Sequence, residues 1–183
     1  MADETKAGQT SSGSRLAIGR SLSHYEIVEA ISQSDSGEVY LAYDTKLDRR
    51  VALKCLPSEL ESDAHARKRF LQGAKGAASL HHPYIRNVHE VGEDGGLAYI
   101  AMELTGGETL VERLARGPMA LEEVLQAASE IAEALEAAHA EGIVHGSLNL
   151  RSIVVTEAGH VKVIDFGQGK PVPTYLSPEQ VRG

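Results

Sequence analysis

The hydrophobic positions of this chain follow two periods, one suited to strands and one to helices. From Tyr25 the runs YEIVEAI, GEVYLAYD and RRVALKCLP are short and rich in β-branched and aromatic residues. The polar SQSDS and a charged turn separate them, which predicts a small antiparallel meander. Over 62–80, Ala66, Phe70, Ala74, Ala77 and Ala78 recur at helical spacing, and HHP stops that helix. Two more strands are predicted over 87–91 and 97–102, flanking the turn EDGG, and GGETLVERLARGP then reads as a short helix between Gly and Pro. The clearest helix spans 121–141. Leu121, Val124, Leu125, Ala128, Ile131, Ala132, Leu135 and Ala138 form its apolar stripe, and Gly142 closes it. A loop VHGSLNLRS, a strand over 153–156, the turn EAGH, a strand over 161–164 and DFG follow. A sheet first and helices after is an α+β pattern.

Composition narrows this picture. With 183 residues, 42% hydrophobic and 24% charged, the chain can bury one sizeable core, as one domain of two lobes. Its first residues, MADETKAGQTSSGSR, are rich in Ser, Gly and Thr and lack a secretion signal; they predict a disordered leader over 1–23 before a globular 24–183. A net charge of -8 argues against a nucleic-acid or anionic-membrane surface, and Arg67, Lys68 and Arg69 read as a solvated helix face. The single Cys55 excludes a disulfide framework and the usual Cys/His zinc chemistry; it reads as a buried small hydrophobe and fits a reducing, cytoplasmic setting. No window reaches the roughly 18 apolar residues of a membrane span.

An ordered series of motifs carries a resemblance. GEVYLA on the second strand, VALK on the third, HHPYI after the helix, VHGSLNLRS as a loop, DFG after a strand pair and SPEQ near the end resemble a protein kinase domain, close in texture to bacterial Ser/Thr kinases. The resemblance covers roughly 25–183. It implies an antiparallel N-lobe sheet with one helix over 24–104 and a partial, mainly helical C-lobe over 105–183. It also implies a nucleotide, ATP, with Mg²⁺ or Mn²⁺ on its phosphates.

Residue by residue, the resemblance implies both retained and missing parts. Gly37 matches the third glycine of the phosphate lid, while Ser32 and Ser34 occupy the first two. Val39 and Ala52 match positions that pack on adenine. Met102 matches the gatekeeper, Glu103 to Thr105 the hinge, and Glu108 a ribose contact. Lys54 matches the lysine that holds the α- and β-phosphates. Its helix partner should be a Glu, but Gly73 stands there, which turns Lys54 toward Asp165. Asp165 matches a metal ligand. In the loop, Ser147 stands at the position of the Asp base, and a neutral hydroxyl cannot orient and accept a proton as a carboxylate does. Gly146 removes an Arg, Asn149 a cation, and Ser152 the metal-binding Asn. His145 and Phe166 match packed core positions.

Losing the base alone costs about 10²- to 10⁴-fold in rate. The span from Asp165 to Glu179 is also short for an activation loop, and the family's C-lobe continues with further helices. Three readings follow. One is a pseudokinase, a binding or scaffolding module that can hold ATP; another is a weakly active Ser/Thr kinase using Asp165 and Lys54; the third is a remnant or fragment of a longer kinase. An uncovered face of the 121–138 helix predicts a protein partner or a second copy of the chain.

Overall fold

The computed structural model describes residues 16–34, 37–168 and 173–182. Six strands build one antiparallel sheet: β1 (Ser21–Leu22), β2 (Tyr25–Ser34), β3 (Gly37–Asp44), β4 (Arg49–Cys55), β5 (Val88–Asp94) and β6 (Leu97–Met102), in spatial order β1-β2-β3-β4-β6-β5. The predicted meander is β2 to β4. Its alternating side chains divide between two faces: Tyr25, Ile27, Tyr40, Ala42, Val51 and Leu53 build one core cluster, and Ala52, Ile100 and Met102 meet α1 (Ala64–Ala77) on the other. Asp63 caps α1 by accepting from the backbone N–H groups of His65 and Ala66, and Phe70 and Ala74 supply its buried contacts.

The fold begins earlier than composition suggests. Leu16 and Leu22 are 2% and 3% exposed and join the sheet's core, so the leader predicted to reach residue 23 is corrected from residue 16 onward. Residues 1–15 lie outside the described residues. Two apolar anchors tie the segment down together with backbone bonds to β2, Gly19 N to Ile27 O at 2.7 Å and Ile27 N to Arg20 O at 2.9 Å.

Below the sheet, β7 (Glu108–Thr109), β8 (Ile153–Val155) and β9 (Val161–Val163) form a second, three-stranded antiparallel sheet. Helix α2 (Leu110–Ala115) starts at a Thr109/Glu112 capping box, α3 (Leu121–Ala140) is the long predicted helix, and α4 (Pro178–Arg182) ends the described chain. Among the described residues no helix is long and apolar enough to cross a membrane.

The face that α3 buries matches the predicted stripe in its C-terminal half, where Ala138 is buried and Ile131 and Leu135 pack partly buried against the core, and departs from it toward the N-terminus. Its buried residues are Ala127, Glu130, Ala134 and Ala138, whereas Leu121, Val124 and Leu125 are 72%, 45% and 61% exposed. Small alanines let the helix lie close to β9, and Glu130 is accommodated because it is fully engaged. It accepts from Val161 N at 2.7 Å, His160 Nδ1 at 2.6 Å and Gln126 Nε2 at 3.0 Å. Burial pushes the Glu130 carboxyl up, but His160, Val161 and Gln126 outweigh it and hold it below the ordinary carboxylate range. A carboxylate thus fixes the β8–β9 hairpin to the helix, next to the loop that separates them from α3.

Candidate functional site

Between the two sheets the chain brings Lys54 and Asp165 together. Lys54, on β4, is 2% exposed, and its Nζ lies 2.9 Å from Asp165 Oδ1. Burial raises the Asp165 carboxyl, yet Lys54 and then Arg86 more than offset this, so the group stays below the usual carboxylate range. Asp165 adopts φ +65°, a conformation that costs a non-glycine residue on the order of 1 kcal/mol or more. The buried ion pair supplies a reason for the backbone to remain there.

The cause of this pairing lies in α1. A Cβ built on Gly73 would overlap the carbonyl oxygen of Gly167 and lie 2.7 Å from its carbonyl carbon. The helix therefore rests directly on the DFG backbone through the space a side chain would fill. No carboxylate from position 73 can reach Lys54, and the lysine takes Asp165, as the sequence predicts.

In the lid, Gly37 has φ +141°, and a Cβ there would sit 2.5 Å from Cys55 O and 3.3 Å from Lys54 Cγ. This glycine lets β3 approach the lysine strand closely. Ser32 lies on β2 and is exposed; of Ser34 only the backbone is described.

The loop after α3 is closed by its own hydrogen bonds. His145 is 3% exposed, its Nε2 bonds to Ile164 O at 2.8 Å, and its ring lies 4.7 Å from that of Phe166, so it is a packing residue as expected. Burial pushes its pKa below the ordinary value. Ser147 is 8% exposed, with its backbone N–H 3.4 Å from His145 Nδ1. Asn149 Nδ2 donates to Ser147 O at 2.7 Å. Ser152 Oγ donates to Asn149 O at 2.8 Å and accepts from Asn149 N at 2.9 Å.

These contacts test whether a metal fits. Asp165 offers a low-pKa carboxylate, but the position that would supply a second ligand holds a buried hydroxyl already used twice within its own loop. No group of three or more His, Cys, Asp or Glu side chains is arranged to hold a metal among the described residues. The set does not fit a two-metal site.

Of the residues matched to the base site, three pack together. Ala52, 4% exposed, and Met102, 2% exposed, share one cluster against which Val39 packs. Glu103 is turned to structural use: its carboxylate accepts from Asn87 N and Nδ2 at 3.2 Å and pairs with Lys162 Nζ at 2.8 Å. Thr105 Oγ1 accepts from Arg86 Nε at 3.2 Å. Glu108 is ion-paired with Arg116, so its carboxylate is engaged beside the cleft. Arg86 was not singled out by the motif reading. The signal for it was a charge directly after the apolar PYI.

Comparison with known proteins gives a consistent picture. The family model described as "Protein kinase domain" matches residues 25–182. The chain is 37% identical over 187 residues to serine/threonine-protein kinase PknA of Mycobacterium tuberculosis, covering 91% of this chain and 43% of that protein. It is 35% identical over 184 residues to serine/threonine-protein kinase PrkC of Bacillus subtilis, covering 92% of this chain and 28% of that protein. The chain thus spans less than half the length of these curated relatives. Among solved structures, the kinase domain of Mycobacterium tuberculosis PknI superposes with a TM-score of 0.81 at 32% identity, covering 91% of this chain and 67% of that one.

Proposed function

Since this chain belongs to the protein kinase domain family, we propose that it works as a pseudokinase: a catalytically impaired Ser/Thr kinase-like domain that binds a nucleotide and acts as a binding or scaffolding module. The observation that carries this reading is the loop itself. Ser147 stands at the base position, and Ser152 stands at the second metal position with its hydroxyl already committed to Asn149. A hydroxyl neither accepts the substrate proton as a carboxylate does nor competes with one for a divalent ion. The close seat of Gly73 on Gly167 supports the same reading, because it removes the usual partner of Lys54. Nucleotide binding draws on the convergence of Val39, Ala52 and Met102. For scaffolding, the exposed Leu121, Val124 and Leu125 offer an apolar surface to a protein partner or a second copy. A buried Cys55 suits a reducing, cytoplasmic setting.

A second reading, a weakly active Ser/Thr kinase, is favoured by two facts. The relatives carry kinase names, and Lys54 and Asp165 are both present within 2.9 Å. One experiment separates the two. Nucleotide is titrated calorimetrically, with and without Mg²⁺ or Mn²⁺, and transfer of labelled γ-phosphate to a generic protein substrate is followed in parallel. Binding with background transfer supports the pseudokinase; transfer at a rate ordinary for kinases, about 1–100 s⁻¹, and abolished by Asp165→Asn, establishes the enzyme.

A further inference from the structure

Arg86 is a cation set against Met102 and Thr105, the residues matched to the gatekeeper and to the end of the hinge. Its position is fixed by backbone: Arg86 N donates to Val163 O at 3.0 Å, Val163 N donates to Tyr84 O at 2.8 Å, and Ile85 bridges Val163 in parallel. The segment before β5 is thereby clipped to the strand that leads into Asp165. From there the guanidinium reaches the gatekeeper position and the end of the hinge: Nε donates to Thr105 Oγ1 at 3.2 Å, and Nη1 lies 3.6 Å from Met102 Sδ.

Neither acceptor answers the charge. A hydroxyl is neutral, and a thioether sulfur accepts only weakly. The nearby acids interact with Arg86 electrostatically, but Asp165 is bonded to Lys54 and Glu103 to Lys162 and Asn87. Three cations, Lys54, Lys162 and Arg86, therefore face two carboxylates, and Arg86 is the one left with neutral acceptors. Burial lowers its pKa below the ordinary guanidinium value, although the Asp165 and Glu103 charges act the other way. A guanidinium has five N–H donors and no acceptor, and it keeps its proton in proteins. Whatever enters beside it must bring acceptors.

Purines differ on this point. Adenine offers an acceptor at N7 but a donor at its 6-amino group, whereas guanine offers acceptors at both N7 and O6, the pair that arginine grips through two bonds. We propose that Arg86 is a specificity-determining residue that turns the base site of this domain away from adenine and toward 6-oxo purine nucleotides. The inference rests on the nucleotide-binding part of the reading above.

The test is calorimetric titration of the chain with ATP, GTP and ITP, the last sharing O6 with GTP while lacking its 2-amino group. The unmodified chain should bind GTP and ITP at least about tenfold more tightly than ATP, the discrimination expected of one two-bond contact. Arg86→Met, similar in length but without donors, should abolish or reverse that order. Arg86→Lys keeps the charge without the planar fork and should give an intermediate ratio. If the unmodified chain prefers ATP or does not discriminate, or if Arg86→Met leaves the ratio unchanged, base selection by Arg86 is overturned while nucleotide binding stands. If the unmodified chain binds none of the three nucleotides while Arg86→Met binds ATP, the arginine merely fills the site and the proposal also fails. If none of the three nucleotides binds any folded variant, the nucleotide-binding reading fails with it. The ratio measured on the unmodified chain decides the matter even where a variant does not fold.

Discussion

Gly73 of α1 and Gly167 of the DFG segment touch backbone to backbone: a Cβ on Gly167 would lie 3.2 Å from Gly73 Cα, and one on Gly73 would overlap the Gly167 carbonyl. A backbone contact between α1 and the DFG segment thus stands at the position where the helix would otherwise hold a glutamate for Lys54 of β4.

The contact reverses the usual sign of a helix substitution. Gly to Ala inside a helix ordinarily stabilises by up to about 1 kcal/mol, because the unfolded chain loses freedom. Gly76, on the same helix with nothing within 4 Å of its Cβ position, should behave so. Gly73→Ala should instead destabilise by about 1–3 kcal/mol through overpacking. Urea denaturation of both variants checks this, and stabilisation by Gly73→Ala would show that the DFG segment yields freely.

Restoring the absent groups should fail for the same reason. Gly73→Glu must displace Gly167 before its carboxylate can approach Lys54, and Ser152→Asn must break the reciprocal bonds with Asn149. The triple variant Gly73→Glu, Ser147→Asp, Ser152→Asn should therefore melt below the unmodified chain and show labelled-phosphate transfer at least about 100-fold below that of a typical kinase. Full turnover by this variant would refute the structural argument.

Breaking the central pair leaves a charge stranded. Asp165→Asn leaves the Lys54 ammonium, 2% exposed, without its partner, at a cost of about 2–4 kcal/mol once the partial exposure of Asp165 is allowed for. Lys54→Met should cost less, since Asp165 is 26% exposed and retains Arg86 nearby. The double variant should be more stable than the sum of the two losses implies. A double-mutant cycle by chemical denaturation measures the coupling; strict additivity would mean that the pair contributes nothing.

The carboxylate beneath the hairpin predicts a pH dependence. Glu130 has a folded-state pKa depressed from its ordinary 4.5, so its contribution is fully present above 4.5 and is lost as pH falls through the lower folded value. Glu130→Gln keeps the shape but weakens the bonds to Val161 and His160, which should cost about 2 kcal/mol at pH 7, or roughly 4–8 °C in Tm. The difference between the two proteins should close below pH 4.5, and a constant gap across acid pH would assign the loss to packing instead.

Helix α3 supplies a test of which face is core. Leu125→Gln, at a side chain 61% exposed, should change the stability of the isolated chain by no more than about 0.5 kcal/mol, whereas Ala134→Leu, at 0% exposure, should cost about 1–3 kcal/mol. Thermal melts of both decide it. If Leu125 lies in an interface between copies, sedimentation of the Leu125→Gln variant should also show a smaller assembly.

Much of this protein was legible in the residues before any coordinates. Short apolar runs marked β2, β3, β4 and β6, helical spacing marked α1 and α3, and the order of short motifs located Lys54, Asp165 and the loop at Ser147. Such signals are local, set by backbone geometry over a few residues, and the sequence states them directly. Even the turn of Lys54 toward Asp165 followed from a glycine where a glutamate was required.

Other features were decided only when distant segments met. Leu16 and Leu22 are held by a sheet that composition alone does not reveal, and the predicted α3 stripe holds at Ile131, Leu135 and Ala138, while toward the N-terminus Ala127 and a fully bonded Glu130 turn inward and Leu121, Val124 and Leu125 face outward. Hydrophobicity ranks side chains but does not say which face has a close neighbour, and a charge can be buried wherever partners converge on it. The same holds for Arg86, whose setting beside Met102, Thr105 and Asp165 depends on strands far apart in sequence. Residue type determined the available chemistry, and tertiary packing determined which groups were left to use it.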